Sequence, residues 1–339
     1  MISPKVSIIV PTKNRYSIFP QTIASIRNQT FSNWEAIIVD DGSNEHNIQQ
    51  MLNLFKGEPR IRFLMRSSNR NGACACRNEG ISNSTGDYVI FLDSDDCLAP
   101  FCLEKRVQIM ESNANLDFAI FPCKLFQKHP NDLGLLWNIE TQENDIDRFL
   151  SLDVPWQTTS PIWRQQALKQ VGVWDTSLLS WQDWEFHLRA LIQGLTYKIF
   201  SPPDCFWRVP DNESIGLKSL TSEHLHSHEQ LFQKIHCMLS ERQLLNSNRQ
   251  CLIAGLYFFL AKSWRSQGDV TEAVRVWTIC WNEQLVSNMR YLEGLFYLKT
   301  IGMRGVRRIG QKYLEMRWPK RLRTQYSNTF RNTPYVSAL

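Results

Sequence analysis

A chain of 339 residues that is 43% hydrophobic, with 12 Trp and 18 Phe, can fill one large core or a domain with an appendage, which excludes a disordered or low-complexity protein. Its longest uncharged apolar stretch, Leu252 to Ala261, is about half of a bilayer span, so no transmembrane helix is expected and any membrane contact is peripheral. Nine cysteines in no regular framework, and an N-terminus unlike a leader, suit a reducing cytoplasm, while the net charge of +5 is too mild to argue for nucleic acid.

Val6 to Val10 read as a β-branched strand that stops at Pro11, and polar Thr12, Lys13, Asn14 and Arg15 lead into a helical pattern from Ile18 to Asn28. Glu35 to Val39 repeat the arrangement and end in Asp40 and Asp41, with Gly42 and Ser43 as turn formers. A third strand at Ile61 to Met65 is followed by a helix over Cys74 to Asn83 and then by Val89 to Leu92. Strands alternating with helices predict a mainly parallel, Rossmann-like sheet flanked by helices. Phe118 to Pro122 continues it, Phe126 to Asp145 is expected to be irregular, and Thr158 to Trp163 reads as strand. Helices are expected at Gln165 to Val171 and Gln182 to Ile192, and the strands Tyr197 to Phe200 and Cys205 to Val209 are expected to finish the sheet. Pro210 to Ser222 suits a loop that closes over a ligand, and from about Glu223 the chain reads as helix, giving regions 1–222 and 223–339. Tyr257, Leu260, Trp264, Gly268, Ala273 and Trp277 have the spacing of one helical hairpin.

The chemistry concentrates where apolar Val89 to Leu92 run into Asp93, Ser94, Asp95 and Asp96. A strand apolar on both faces delivers these carboxylates at its carboxyl end, where open α/β sheets bind ligands. Asp93 and Asp95 can face one divalent cation, magnesium or manganese, which points to a phosphate-bearing substrate; an acidic turn capping the next helix is the plain alternative. The turn after the first strand lacks GxGxxG, and no GxxxxGK[ST] follows any strand, so neither a nicotinamide dehydrogenase nor a P-loop ATPase is expected. Among His224, His226 and His228 only the first and last share a helical face, with no further ligand at metal spacing. The basic excess lies at the end: Lys299, Arg304, Arg307, Arg308, Lys312, Arg317, Lys320, Arg321 and Arg323 are offset within that span only by Glu315. Val306, Ile309, Tyr313 and Met316 recur between them, as in a helix lying on anionic lipid.

VSIIVPTKNR at 6 to 15, IIVDDGS at 37 to 43, NRNGACACRNEG at 69 to 80, GDYVIFLDSDD at 86 to 96 and WQDWEFHLR at 181 to 189, in this order, resemble the family 2 inverting glycosyltransferases of GT-A fold. The resemblance covers roughly the first 210 residues; the α-helical C-terminal extension lies outside it. It implies a nucleotide-sugar donor, UDP-linked by first preference, and a saccharide or lipid-linked saccharide acceptor in polysaccharide biosynthesis; a cytoplasmic location, with peripheral contact at the cytoplasmic membrane face as an option, is expected from the cysteines and the basic tail. Carried over motif by motif, it puts Pro11, Thr12, Asn14 and Arg15 beside the nucleotide and Asp40 on the base, with Asp41, Asn69, Arg70 and Arg77 as further pocket candidates. Asp40 and Asp41 can instead cap the following helix. The resemblance makes Asp95 the direct ligand of a divalent cation (Mn2+ or Mg2+), sets Asp93 and Ser94 nearer the donor, and leaves Asp96 undecided.

It further implies Asp183 as the general base that deprotonates the acceptor hydroxyl. Members of the family carry an acidic pair here, whereas this chain has Gln182 and Asp183. That departure supports a second expectation, a catalytically silent GT-A scaffold that binds nucleotide sugar or glycan. Glu185 is the rival base but lies two residues on, facing elsewhere, and His187 on the Asp183 face is expected to pack. Trp156, Trp181 and Trp184 are acceptor-side platforms or, more simply, core. Arg208 and Ser214 sit where the family often contacts phosphate, although its usual His is missing.

Overall fold

The computed structural model describes residues 5–209 and 221–300. The first strand, β1 (Val6–Thr12), and the second, β2 (Trp34–Asp40), are buried along their whole length, as expected of β-branched strands covered on both faces. They pair in parallel, and β3 (Ile61–Met65) continues the sheet beyond β2. On the other side of β1 lies β4 (Tyr88–Phe91), also parallel. The strand order therefore reverses between β1 and β4, and the crevice at their carboxyl ends is a topological switch point. The connecting helices are α1 (Phe19–Arg27), α2 (Glu45–Phe55) and α3 (Ala73–Asn83). At Gly80 of α3 an added Cβ would lie 2.3 Å from Ile9 Cγ2, so the close seating of α3 on β1 requires glycine there.

Three features lie beyond the sequence expectation. After β5 (Cys97–Leu98), α4 (Cys102–Ser112) leads to β6 (Phe118–Ile120). The stretch expected to be irregular adjoins β7 (Cys123–Phe126) and holds β8 (Leu135–Leu136); the short helix α5 (Asp145–Leu150) begins at its end, with Asn144 Oδ1 accepting from the Ile146 amide. Then β9 (Pro161–Arg164) inserts antiparallel between β4 and β6, followed by α6 (Gln165–Val171), α7 (Gln182–Ile192) and β10 (Tyr197–Ile199). The main sheet has the order β10-β6-β9-β4-β1-β2-β3. The last strand, β11 (Cys205–Arg208), does not finish this sheet as expected, because it pairs with β7 and β5 in a second, four-stranded sheet.

The two sheets are tied by a fully buried ion pair, in which Arg106 of α4 makes paired hydrogen bonds of 2.8 and 2.6 Å to Asp204 and another to the carbonyl of Thr159. Such a pair is costly to break from one side, since the surviving charge is stranded away from water. The remaining helices are α8 (Ser222–Glu241), α9 (Ser247–Ser266), α10 (Val270–Asn282) and α11 (Asn288–Thr300). The expected helical hairpin is α9 with α10, where Ala273, Val276 and Trp277 bury against Tyr257, Leu260 and Ala261 in one core. That core continues into the sheet region without a break. Among the described residues no helix is long and apolar enough to cross a membrane. Ser214 and the basic segment from Arg304 onward lie outside the described residues, as does most of the 210–222 loop.

Candidate active site

The carboxyl ends of β1 and β2 meet in one braced turn system. Asp40 is 1% exposed, and its Oδ2 accepts from the amides of Gly42 at 2.9 Å and Ser43 at 2.8 Å, while Oδ1 accepts from the Ser43 hydroxyl. The carboxylate expected on the nucleotide base is thus committed to its own turn. It does not cap α2 either, because Asn44 does, accepting from the Asn47 amide. Asp41 reaches the other way, with Oδ1 accepting from Arg66 Nε at 2.7 Å and from the Gly72 amide at 2.8 Å at the start of α3. Pro11 and Thr12 are buried within β1, and Asn14 takes a left-handed backbone (φ 51°) stabilised by hydrogen bonds with Ser43 and Asn44. Arg15, Asn69 and Arg70 stand exposed beside this system.

At the end of β4 the acidic residues divide by direction. Asp93 and Asp95 are partly open, with side chains 31% and 29% exposed, whereas Asp96 is 1% exposed. Asp93 accepts from Arg77 Nη2 at 2.6 Å, and Arg15 Nη1 lies 4.0 Å from Asp95 Oδ2. Burial, and then the Asp93 charge, push the Asp95 carboxyl above the usual carboxylate range, against the pull of Arg15. Asp96 turns inward, accepting from the Arg208 amide at 2.9 Å and the Thr159 hydroxyl at 3.1 Å. Burial, followed by the Asp95 and Asp93 charges, raises its carboxyl well above the ordinary value. Ser94 is buried, and its carbonyl accepts from the Thr22 hydroxyl.

Arg208, expected near phosphate, instead braces this segment: Nε donates to the Asp95 carbonyl at 2.9 Å, Nη1 to the Gln127 carbonyl at 2.8 Å and Nη2 to Gln21 at 2.5 Å. Its plane lies over Phe126. The residues present fit a hard cation: two neighbouring, partly open carboxylates whose mutual repulsion would be relieved by positive charge. Among the described residues no group of three or more His, Cys, Asp and Glu gathers to hold a metal. A cation there would take its other oxygens from water and phosphate, as magnesium usually does.

Asp183 sits in the first turn of α7, half-buried, with Oδ1 accepting from the Trp184 amide at 2.9 Å. Its electrostatic neighbours are Arg77 and Asp93, so the start of α7 lies within the field of the ion pair at the end of β4. Burial raises the Asp183 carboxyl above the ordinary range and Asp93 adds to this, while the Trp184 amide and Arg77 oppose it. Gln182 folds back to donate to the Leu178 carbonyl and brings no charge to the site. Trp181, just before the helix, has φ 59° and ψ 30°, a left-handed conformation that costs a residue with a Cβ about 1–2 kcal/mol.

Glu185 faces away from Asp183 as expected, fully buried and bonded to Arg189 and to Lys234 of α8. His187 is 1% exposed among Trp163, Trp156 and Phe149, and burial, with Arg77 nearby, lowers its pKa to about 3. It is a neutral packing group. Trp156 and Trp184 are 2% and 3% exposed; Trp184 Nε1 donates to the Phe149 carbonyl, and Trp156 packs edge-on against Phe149. Both are core rather than open platforms for a sugar. The histidines of α8 diverge: His224 bonds Thr221, His226 faces Trp264, and His228 bonds Ser180. Two features that sequence reasoning missed are the Trp174 ring beneath Arg77, at 4.5 Å, and the bracing role of Arg208. The former had only the apolar GVW sequence as a signal, and the latter had none, because its partners, two backbone carbonyls and the Gln21 side chain, are far away in sequence.

Residues 7–169 match the family described as Glycosyl transferase family 2, a stretch that ends before α7. The chain is 33% identical over 198 residues to a glycosyltransferase of Haemophilus influenzae, an alignment covering 58% of this chain and 66% of that one. It is 35% identical over 129 residues to the GalNAc(5)-diNAcBac-PP-undecaprenol beta-1,3-glucosyltransferase of Campylobacter jejuni, covering 38% of this chain and 40% of that protein. The chain thus spans 66% or less of the length of these relatives. In fold it is similar to S. aureus TarS 1-349 in complex with UDP-GlcNAc, with a TM-score of 0.63, 17% identity and 87% of each chain covered.

Proposed function

Residues 7–169 place this chain in glycosyl transferase family 2, and from that premise we propose that it transfers a sugar, with inversion, from a UDP-sugar to a hydroxyl of a saccharide or lipid-linked saccharide. The observation that carries the reading is that Arg77, bonded to Asp93 at the end of β4, also lies within electrostatic reach of Asp183 at the start of α7. One carboxylate is suited to the donor side and the other to the acceptor side. The UDP preference draws on the likeness to a fold that binds UDP-GlcNAc in S. aureus TarS.

In this reading Asp183 takes the proton of the attacking hydroxyl. Burial raises its carboxyl above the ordinary carboxylate range, which strengthens it as a base. Arg77 holds Asp93 in place and supplies fixed positive charge beside it, and the exposed Arg15, Asn14 and Arg70 would meet the nucleotide. When bound at Asp93 and Asp95, manganese or magnesium supplies the charge that makes a nucleoside diphosphate a good leaving group. Residues 1–222 would form the catalytic domain and 223–339 its helical extension. A thermal-shift screen of nucleotide sugars with and without manganese, followed by a transfer assay, tests the proposal. We expect a manganese-dependent shift with a UDP-sugar and a fall in turnover of about 10²-fold or more in Asp183→Asn with binding retained. Full activity in Asp183→Asn would remove the proposed base, and nucleotide binding without turnover across donors and acceptors would favour a silent scaffold.

Peripheral contact with an anionic membrane is part of the same reading. Met289, Leu292 and Phe296 of α11 stand exposed at spacings that share one helix face, and the chain then enters its Lys- and Arg-rich segment. Sedimentation of the full chain with phosphatidylserine vesicles, but not with phosphatidylcholine vesicles, and its loss in Leu292→Ser/Phe296→Ser, is the expected result; equal binding to both vesicle types argues against it.

A further inference from the structure

Asp183 is carried on a helix start that does not hold its own shape. No side chain caps α7, and the residue before it, Trp181, keeps a left-handed backbone that an indole side chain does not favour. What surrounds that residue comes from the helical region. The Trp181 ring lies 4.4 Å from the His228 ring, 5.7 Å from Phe232 and 6.0 Å from Phe259. On the same segment Ser180 Oγ and His228 Nε2 are hydrogen-bonded at 2.8 Å, and the Leu179 amide donates to Ser227 Oγ at 3.3 Å. Lys234 Nζ closes the other side, 2.7 Å from Asp175 and 2.8 Å from Glu185. Ser227, His228, Phe232 and Lys234 all belong to α8, which follows the catalytic region in sequence and lies outside the family match.

We propose that α8 is a positioning element of the active site, with Trp181 and His228 as the residues that fix the first turn of α7 and thereby the Asp183 carboxylate. The helical extension then takes part in catalysis without touching substrate. A left-handed residue packed on the His228 and Phe232 rings of α8 and the Phe259 ring of α9 is a geometric lock: the turn cannot relax without opening the aromatic contact, and the contact cannot form unless the turn is made. Neither Trp181 nor His228 has a role with the nucleotide, whose side of the site is built from β1, β4 and α3. The proposal rests on Asp183 being the general base.

The test is a split between turnover and nucleotide binding in the full-length chain. His228→Ala and Trp181→Ala are expected to lower kcat about 10- to 100-fold, the scale of a misplaced catalytic group, while the Kd for UDP with manganese, measured by calorimetry, stays within about twofold. His228→Gln, which can still bond Ser180, and Trp181→Phe, which keeps a ring, are expected to recover most of kcat. Ser180→Ala removes one hydrogen bond at little risk to folding and is expected to lower kcat a few-fold in the same way. Unchanged kcat in Ser180→Ala and His228→Ala, or a parallel loss of UDP affinity, overturns the positioning role. Asp183→Asn run beside them separates the two ideas: if it is inactive while these variants are normal, only the positioning role fails, and if it is fully active, the base assignment fails.

Discussion

Arg77 donates to Asp93 at 2.6 Å while its guanidinium plane lies 4.5 Å over the ring of Trp174. Burial alone would make the charged guanidinium less favourable, but the carboxylates, Asp93 before Asp183, more than offset it. Trp174 in turn stacks on Phe186 at 4.1 Å with nearly parallel planes, so the guanidinium rests on the aromatic core rather than on solvent. A flat cation between an aromatic face and a carboxylate is an arrangement lysine cannot reproduce.

We therefore predict that Arg77→Lys, although it keeps the charge, lowers kcat/KM by about tenfold or more, because fork and stack are lost together. Arg77→Ala should also destabilise the fold by about 2 kcal/mol, at the low end for a buried pair since Asp93 is partly open to water. Urea unfolding measures the second effect and steady-state kinetics the first; a wild-type kcat/KM in Arg77→Lys would contradict the stacking argument.

Asp96 gives a prediction with a definite sign in pH. Its folded pKa is raised above its unfolded value, so its contribution to stability is fully present below the ordinary aspartate range near 4 and is lost as pH rises through the folded value. Asp96→Asn, whose amide can still meet the Arg208 amide and the Thr159 hydroxyl, should remove that loss and raise Tm at pH 8 relative to wild type. It should leave the manganese requirement intact. Loss of manganese dependence in this variant would instead make Asp96 a ligand.

Asp95 should behave in the opposite way. Asp95→Asn, or chelation of wild-type protein with EDTA, is expected to abolish the stabilisation by UDP plus manganese in a thermal-shift assay while leaving the Tm of the free protein within a few degrees. A UDP shift equal with and without metal would dismiss the cation from the reaction.

His187 and His228 should make the protein acid-sensitive. Both are about 1% exposed, and burial, the first cause in each, holds their pKa at about 3 and about 4. A histidine depressed in the folded state contributes stability that is present above its unfolded pKa near 6.5 and is lost as pH falls through the folded value. At pH 5 each should have given up about 2 kcal/mol relative to pH 8. Urea titrations of wild type and His187→Phe at the two pH values measure this, and an equal loss in both proteins would count against the assignment.

The catalytic half of the fold was legible in sequence because its signals are local. β1 and β2 carry β-branched runs that end in turn formers, β3 is a short, mostly apolar run, and α6 and α7 begin and end where the apolar pattern does. The second sheet was not legible. It is made of pieces such as Cys97–Leu98 and Leu135–Leu136, too short to show an alternation, and β11 joins it through partners as remote in sequence as Leu98 and Cys123. The same distinction divides the site. Asp93 and Asp95 stand out in the sequence by their strand-end position, whereas Asp183 is picked out only by the resemblance of the motif around it. Asp40 carries an equally strong signal and yet serves its turn, because a carboxylate followed by Gly and Ser is as good a brace for backbone amides as it is a recognition group. Arg208 and Trp181 act through backbone carbonyls and packed rings, which no spacing records.

The four-way grip of Arg208 has a mechanical consequence. Its hydrogen bonds join Asp95, Asp96, Gln127 and Gln21, so the acidic loop, the start of the β7–β8 excursion, α1 and the end of β11 are clasped at one point. The end of β11 is thereby clamped to the backbone that presents Asp95, through one side chain and one amide of the same residue. The spacing between the end of that strand and Asp95 is therefore set by one arginine and not by the thickness of the sheet.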